Sequence, residues 1–123
     1  MNNDALTYKI IGCAMNVHKE LGCGFLEAVY HEALEHEFKI AKIPYVREQK
    51  INITYKGKIL ETNYRVDFIC FNSIVVELKA LKTLSGIDKA QIINYLKATK
   101  LEKGLLINFG TKNLEYKRYI LDK

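Results

Sequence analysis

The chain has 123 residues, the length of one ordinary domain, and we expect residues 1–123 to form a single domain. Hydrophobic residues make up 49% and charged residues 27%, with only one proline, which excludes a disordered or low-complexity protein. The formal charge of +5, from 19 Lys and Arg against 14 Asp and Glu, favours a polyanionic partner such as nucleic acid.

Neither a membrane span nor a secretory leader is expected from the sequence. No apolar run approaches the roughly 20 residues that cross a bilayer. The first residues, Met1 to Asp4, are polar and lack the basic start of a signal peptide. The cysteines, Cys13, Cys23 and Cys70, are odd in number and form no CxxC pair. We therefore expect reduced thiols in a cytoplasmic protein.

The first part of the chain has the periodicity of two helices. Apolar residues recur at helical spacing from Leu6 to Leu21, and Gly22 provides a helix stop. A second helix is predicted from about Leu26 to Ala41, and Pro44 closes that region.

The pattern then changes to that of strands. Residues 49–55 and 59–69 alternate between polar and apolar, with Lys56-Gly57 as the turn between them. The β-branched run Ile74 to Lys79 predicts a buried strand.

A helix and two strands complete the chain. Ser85 to Asp88 has the pattern of a capping box that opens a helix to about Thr99. Strands are predicted over 104–110 and 115–121. The order ααβββαββ predicts an α/β (α+β) fold, with a mixed central β-sheet flanked by helices.

Three charged residues, Asp67, Glu77 and Lys79, lie in segments that are otherwise apolar strands. Asp is disfavoured in strands, and a buried unpaired charge is costly, so each needs a partner or a ligand. Glu77 and Lys79 are two residues apart and share one face of their strand.

The position of Asp67 depends on the hairpin that follows it. A two-residue loop would turn Asp67 away from Glu77. A three-residue loop, either Phe71–Ser73 or Asn72–Ile74, would place Asp67 on the face of Glu77 and Lys79. If Asp67, Glu77 and Lys79 form one site, the loop is therefore expected to have an odd number of residues or to contain a bulge.

Two carboxylates and an ammonium on one face suit phosphodiester hydrolysis. Hard oxygen ligands hold Mg²⁺, and a lysine can orient the attacking water or stabilise developing charge. The alternative is a structural ion pair of Lys79 with Glu77 or Asp67. The cysteines and histidines lack the spacing of a zinc site.

Three motifs carry a resemblance to a known superfamily. The first resembles the D-x(n)-E-x-K signature of the PD-(D/E)XK nucleases: Asp67 is followed, after nine residues, by Glu77-Leu78-Lys79. Val66 stands where the superfamily's name has a proline. The segment GFLEAVY, Gly24 to Tyr30, resembles the motif of the GxxExxY family, small prokaryotic proteins placed in that superfamily. The segment QIINY, Gln91 to Tyr95, resembles the QxxxY element of its RecB-like branch.

The resemblance implies a restriction-endonuclease-like core and a division of roles. Asp67, Glu77 and the backbone carbonyl of Leu78 would ligate Mg²⁺ or Mn²⁺, and Lys79 would be the catalytic lysine. Glu27 would be an accessory acid that contacts the metal or its water.

The resemblance further implies that Gln91 lines the site, although an exposed amide beside the packed Tyr95 is an equal alternative. Glu27 could instead only favour the helix dipole, with Gly24 as N-cap. His18 is expected to be a hydrogen-bonded core residue, and His31 and His36 to be solvated.

The resulting hypothesis is a metal-dependent nuclease that acts on DNA. The alternative is a catalytically weak or inactive module, binding nucleic acid or protein on a nuclease fold. A homodimer or a partner protein is expected, because a duplex cut needs two strands attacked. The terminal strand, 115–121, offers a possible interface.

Overall fold

The computed structural model describes residues 3–121 and contains three helices and five strands within that range. In chain order they are α1 (Asn3–Leu21), α2 (Glu27–Ala41), β1 (Tyr45–Tyr55), β2 (Lys58–Cys70), β3 (Ile74–Lys79), α3 (Gly86–Thr99), β4 (Lys103–Asn108) and β5 (Glu115–Ile120). The predicted fold class and the order ααβββαββ are confirmed. Residues 1, 2, 122 and 123 of the expected single domain lie outside the described residues.

The five strands form one mixed sheet in the order β1-β2-β3-β4-β5. β3 and β4 are parallel, because α3 carries the chain back between them, and every other neighbouring pair is antiparallel. β1 and β2 form a long hairpin, and Lys56 and Gly57 at its tip have φ of 49° and 78°. Positive φ at both central residues suits the right-handed twist of a hairpin.

Helices cover the two faces of the sheet unequally. α1 and α2 pack on what we call the two-helix face, and α3 alone packs on the one-helix face. Alternation along β3 divides its side chains, so that Val76 and Leu78 enter the two-helix core and Val75 enters the one-helix core. Glu77 belongs by the same alternation to the one-helix face.

The loop between β2 and β3 has three residues, Phe71 to Ser73. Phe71 and Asn72 both have φ near +55°, and Cys70 pairs with Ile74 across the loop. The prediction of an odd loop is therefore confirmed. Continuing this register places Asp67 opposite Glu77.

Among residues 3–121, no helix combines the length and apolar character needed to cross a membrane.

Candidate active site

Asp67 and Glu77 exchange hydrogen bonds with each other's strands. The Asp67 N–H donates to Glu77 Oε1 at 2.8 Å, and the Leu78 N–H donates to Asp67 Oδ2 at 2.8 Å. Regular pairing of β2 with β3 runs from Cys70–Ile74 to Phe68–Val76. At the next position, side-chain carboxyl groups bond to the backbone of the neighbouring strand. We call Asp67 and Glu77 the acidic pair.

A shift in side-chain alternation accompanies Asp67. Val66 packs in the one-helix core, whereas Phe68, two residues later, packs in the two-helix core. The pairs on either side, Arg47 with Phe68 and Gln49 with Val66, place Glu48 opposite Asp67. Glu48 has φ of 53°, a conformation that non-glycine residues rarely adopt. Such irregularities redirect side chains and occur next to active sites.

Burial and mutual repulsion control the charge on the acidic pair. Glu77 is only 4% exposed, and burial together with the neighbouring Asp67 raises its pKa to about 9. Burial also raises the pKa of Asp67, although the Leu78 N–H and the charge of His31 oppose the increase. The carboxyl groups also act on each other: Glu77 helps to lower the pKa of Asp67, whereas Asp67 raises the pKa of Glu77. The pair therefore retains a proton, held by Glu77, well above the usual range of a glutamate.

His31 joins the acidic pair to Glu27, contrary to the expectation that it is solvated. The residue is buried, and its Nε2 lies 3.1 Å from Glu27 Oε2 and 3.7 Å from Asp67 Oδ2. Burial works to lower the pKa of His31, but the hydrogen bond with Glu27 and the charges of Asp67 and Glu27 raise it overall. The prediction failed because β2 covers a position that the helix periodicity assigned to the polar side.

Glu27 is placed by the start of α2. It is the first residue of the helix and Leu26 is the N-cap, so the alternative in which Gly24 caps the helix is excluded. Gly24 has φ of 109°, which favours glycine. Tyr30 secures the turn before the helix, since its hydroxyl donates to the Gly22 carbonyl at 2.6 Å and accepts from the Phe25 N–H at 3.3 Å. The G-x-x-E-x-x-Y spacing therefore has a structural basis.

Lys79 ends β3 next to the acidic pair. Alternation places it on the face of Glu77, and its charge acts to lower the pKa of that group. Its Nζ lies 3.8 Å from Asp88 Oδ1. Asp88 Oδ2 accepts from the backbone N–H of Ser85 and so completes the predicted capping box of α3. The start of α3 thus restrains the lysine.

Asn108, which the sequence did not single out, fixes the chain just after Lys79. It is fully buried, and its Oδ1 accepts from the N–H groups of Leu81 at 2.9 Å and Gly110 at 3.1 Å. Its Nδ2 donates to the Leu81 carbonyl and to Glu115 Oε1, both at 2.9 Å. A Cβ on Gly110 would lie 2.3 Å from the Leu81 carbonyl oxygen, so the close approach requires glycine. In the sequence, the signal that could have identified Asn108 was an asparagine at the end of an apolar strand.

Gln91 and Tyr95 line one cavity on the one-helix face. Burial raises the pKa of Tyr95 to about 12, and Glu77 and Asp67 add to the increase, which places this ring near the acidic pair. Gln91 is half-buried, and no hydrogen bond within residues 3–121 joins it to the pair. His18 lies elsewhere, with its Nε2 2.9 Å from the Thr111 carbonyl. Its predicted hydrogen bond is therefore confirmed, but the side chain is only half-buried and is not part of the core.

The donor set fits a hard divalent cation better than a soft one. Asp67 and Glu77 present carboxyl oxygens, which are the hard ligands that Mg²⁺ and Mn²⁺ prefer. Their pKa values are raised mainly by burial, and neighbouring carboxylates add to the increase. Among the side chains of residues 5–121, no three of His, Cys, Asp or Glu are already grouped to hold a metal ion. Two carboxyl groups are in contact, and Glu27 is connected to them through His31.

The fold and the acidic pair define a nuclease-like domain. The family model of the PD-(D/E)XK nuclease superfamily matches residues 4–119. The chain belongs to this superfamily. Nucleases of the superfamily generally use divalent metals and bind nucleic acids. No curated protein matches the chain.

The solved crystal structure of a protein called SSO0001 is similar to this chain, with a TM-score of 0.57 and 26% sequence identity. The match covers 77% of this chain and 50% of the other. This chain therefore spans about half the length of that protein.

Proposed function

We propose that this protein is a metal-dependent nuclease that hydrolyses phosphodiester bonds of DNA. The observation that carries the proposal is the acidic pair, in which Asp67 and Glu77 meet between two strands with Lys79 beside them. Burying two carboxyl groups in contact is unfavourable for stability alone, and such arrangements are typical of functional sites.

Asp67, Glu77 and the backbone carbonyl of Leu78 would hold Mg²⁺ or Mn²⁺, with Glu27 as an accessory ligand. The bound cation would supply an activated water and stabilise charge on the phosphate. Lys79 would orient the attacking water and neutralise developing negative charge, and Asp88 would limit the positions its ammonium can adopt. Gln91 would border the substrate from α3.

Membership of the GxxExxY family and of the RecB-like branch is part of the proposal. The first is supported by the roles of Gly24 and Tyr30 in positioning Glu27. The second is supported by Gln91 and Tyr95, which line a common cavity near the acidic pair. The net charge of +5 supports a nucleic acid as substrate.

A nuclease assay with Mg²⁺ or Mn²⁺, on single- and double-stranded DNA and on RNA, tests the proposal. Lys79→Ala should lower the rate by about 100-fold or more, since proton transfer and charge stabilisation contribute on that scale. Lys82→Ala is the matched control, because Lys82 is exposed three residues later. Equal rates in wild type and Lys79→Ala would refute the catalytic role.

Metal binding can be tested independently by calorimetry. Asp67→Asn should abolish the heat of Mg²⁺ binding, because it removes one of two carboxylates in contact. Glu61→Gln, on the exposed part of the hairpin, should leave that heat unchanged. Nucleic-acid binding without cleavage or metal binding would instead favour the inactive binding module.

We further propose that two protomers act together, since a duplex has two strands to cut. β5 is an edge strand, with Tyr116 and Ile120 exposed. Its Lys117 equally suits an edge protected from pairing. Sedimentation at micromolar concentration tests this, and a strict monomer that makes double-strand breaks would contradict it.

A cytoplasmic location is also proposed. Cys13 and Cys70 are buried free thiols, and burial raises their pKa values to about 11 and about 12. Such thiols are unreactive and suit a reducing compartment. Localisation of a fluorescent fusion would test the assignment.

A further inference from the structure

We propose that the groove between α3 and the β1–β2 hairpin binds a single-stranded segment of nucleic acid and leads it to the acidic pair. The proposal rests on the proposed function, because the strand would be the substrate of that site. We call this feature the α3–hairpin groove, and it consists of two adjoining cavities that share Tyr64 and Asn94 in their walls.

The groove starts near the acidic pair and runs towards the end of α3. Its first cavity, about 300 Å³, contains Gln91 and Tyr95. Its second, about 470 Å³, extends to Lys97 and Lys100. Lys97 is six residues after Gln91, which corresponds to about 9 Å along a helix. The groove therefore continues away from the reacting centre, as a track for a polymer would.

The dimensions favour unpaired bases. Each cavity has the size of sites that enclose small organic groups. A base inside a duplex is stacked on both sides and offers only its edges, so it cannot enter such a space without leaving the stack. A base of a single strand can enter directly.

An aromatic ring stands at the middle of the groove. Tyr64 is 46% exposed, and its ring centroid lies 5.7 Å from that of Tyr95. Tyr95 supports the ring from the protein side, which leaves Tyr64 able to stack against a base. Stacking on an aromatic side chain stabilises a bound base and tolerates any base.

The polar groups of the walls match the rest of a nucleic-acid strand. Lys97 and Lys100 are exposed and can contact phosphates, and none of the described residues that line the two cavities is acidic. Side-chain amides of Asn52, Asn94 and Gln91 offer both donors and acceptors to bases and sugars. Positive charge, an exposed ring and amides together are the features of single-strand binding surfaces.

Tyr64→Trp tests the stacking directly, because the chain has no tryptophan and the substitution creates a single reporter. The protein is titrated with a mixed-sequence DNA single strand in EDTA, so that cleavage plays no part. Stacking should quench the fluorescence at Tyr64→Trp. Tyr116→Trp, on β5 and similarly exposed at 42%, should show no quenching.

The affinity of Tyr64 variants tests whether the ring itself binds. Tyr64→Leu should weaken single-strand binding by about 5-fold or more, whereas Tyr64→Phe should keep it, because stacking needs the ring and not the hydroxyl. Circular dichroism confirms that each variant is folded. Equal affinities of folded Leu and Phe variants would overturn the proposal.

The lysines are tested through the salt dependence of binding. Lys97→Ala/Lys100→Ala should reduce the slope of log affinity against log salt by about 1.4, from about 0.7 per phosphate contact on a single strand. Lys19→Ala/Lys39→Ala, exposed on α1 and α2, is the matched control and should change the slope less.

Three results would overturn the groove proposal while leaving the proposed function intact. In the first, the protein binds duplex DNA as tightly as single-stranded DNA. In the second, a mononucleotide quenches the fluorescence as strongly as the DNA strand does. In the third, the protein cleaves DNA and the groove variants do not change the rate. Conversely, single-strand binding with these variant effects but no cleavage under any metal would reject the nuclease function and keep the groove.

Discussion

The two faces of the central sheet differ in how completely helices cover them. The two-helix face carries a large closed core, in which Tyr30, Leu34, Phe38 and Phe68 are fully buried. The one-helix face has a smaller core under α3, and beside it lie the acidic pair and the α3–hairpin groove. The closed core thus lies mainly on one side of the sheet, and the candidate site lies mainly on the other, with Glu27 and His31 of α2 as the exceptions. Changes on the two faces should therefore have separable effects.

The largest expected effect is on the two-helix face. Phe68→Ala should lower the free energy of unfolding by about 3–5 kcal/mol, because it leaves a cavity in a closed core. Tyr64→Ala, on the same strand but partly exposed on the one-helix face, should cost about 1 kcal/mol or less. Urea denaturation measures both. Similar costs for the two variants would mean that the faces contribute equally to stability.

A substitution in the acidic pair, Glu77→Gln, is expected to increase the stability of the protein. Glu77→Gln reproduces the shape of the protonated glutamate, with an oxygen for the Asp67 N–H and an NH₂ for the Asp67 carboxylate. The pKa of Glu77 is raised from 4.5 to about 9 in the folded protein. Between these values the unfolded chain loses a proton that the folded chain keeps, so wild-type stability falls as pH rises.

Glu77→Gln lacks this loss of stability. At pH 6, which is 1.5 units above the unfolded-state pKa of 4.5, it should be more stable than wild type by about 2 kcal/mol in the absence of metal. At pH 4 the two should be nearly equal. Glu61→Gln, on the exposed hairpin, should behave as wild type at both values. Destabilisation by Glu77→Gln across the whole range would indicate that the carboxylate supports the fold.

The smallest expected effect concerns His31, where the two faces meet. The pKa of His31 is raised above its usual value of 6.5, so its stabilising contribution is present below pH 6.5 and is lost as pH rises through the folded-state pKa. His31→Gln should therefore cost about 1 kcal/mol at pH 5.5 and less at pH 9. His36→Gln, exposed on the same helix, should change neither value. A pH-independent cost would assign His31 to packing alone.

Local patterns determined most of the architecture. Helical periodicity, glycine stops and the Lys56-Gly57 turn predicted all eight elements within a few residues, because these signals depend on neighbours in the chain. Three charges in strands, and the motifs around them, identified Asp67, Glu77 and Lys79 as candidates. The superfamily that those motifs indicated is the one to which the chain belongs.

Tertiary packing decided what these residues contact. Strand parity left three loops possible, and the Phe71–Ser73 loop selected the register that places Asp67 opposite Glu77. His31 became part of the site because β2 packs over a helix position that the sequence pattern assigned to solvent. The α3–hairpin groove arises where a helix and a hairpin distant in sequence come together. Such contacts depend on residues far apart in the chain, and periodicity, which is a local property, carries no information about them.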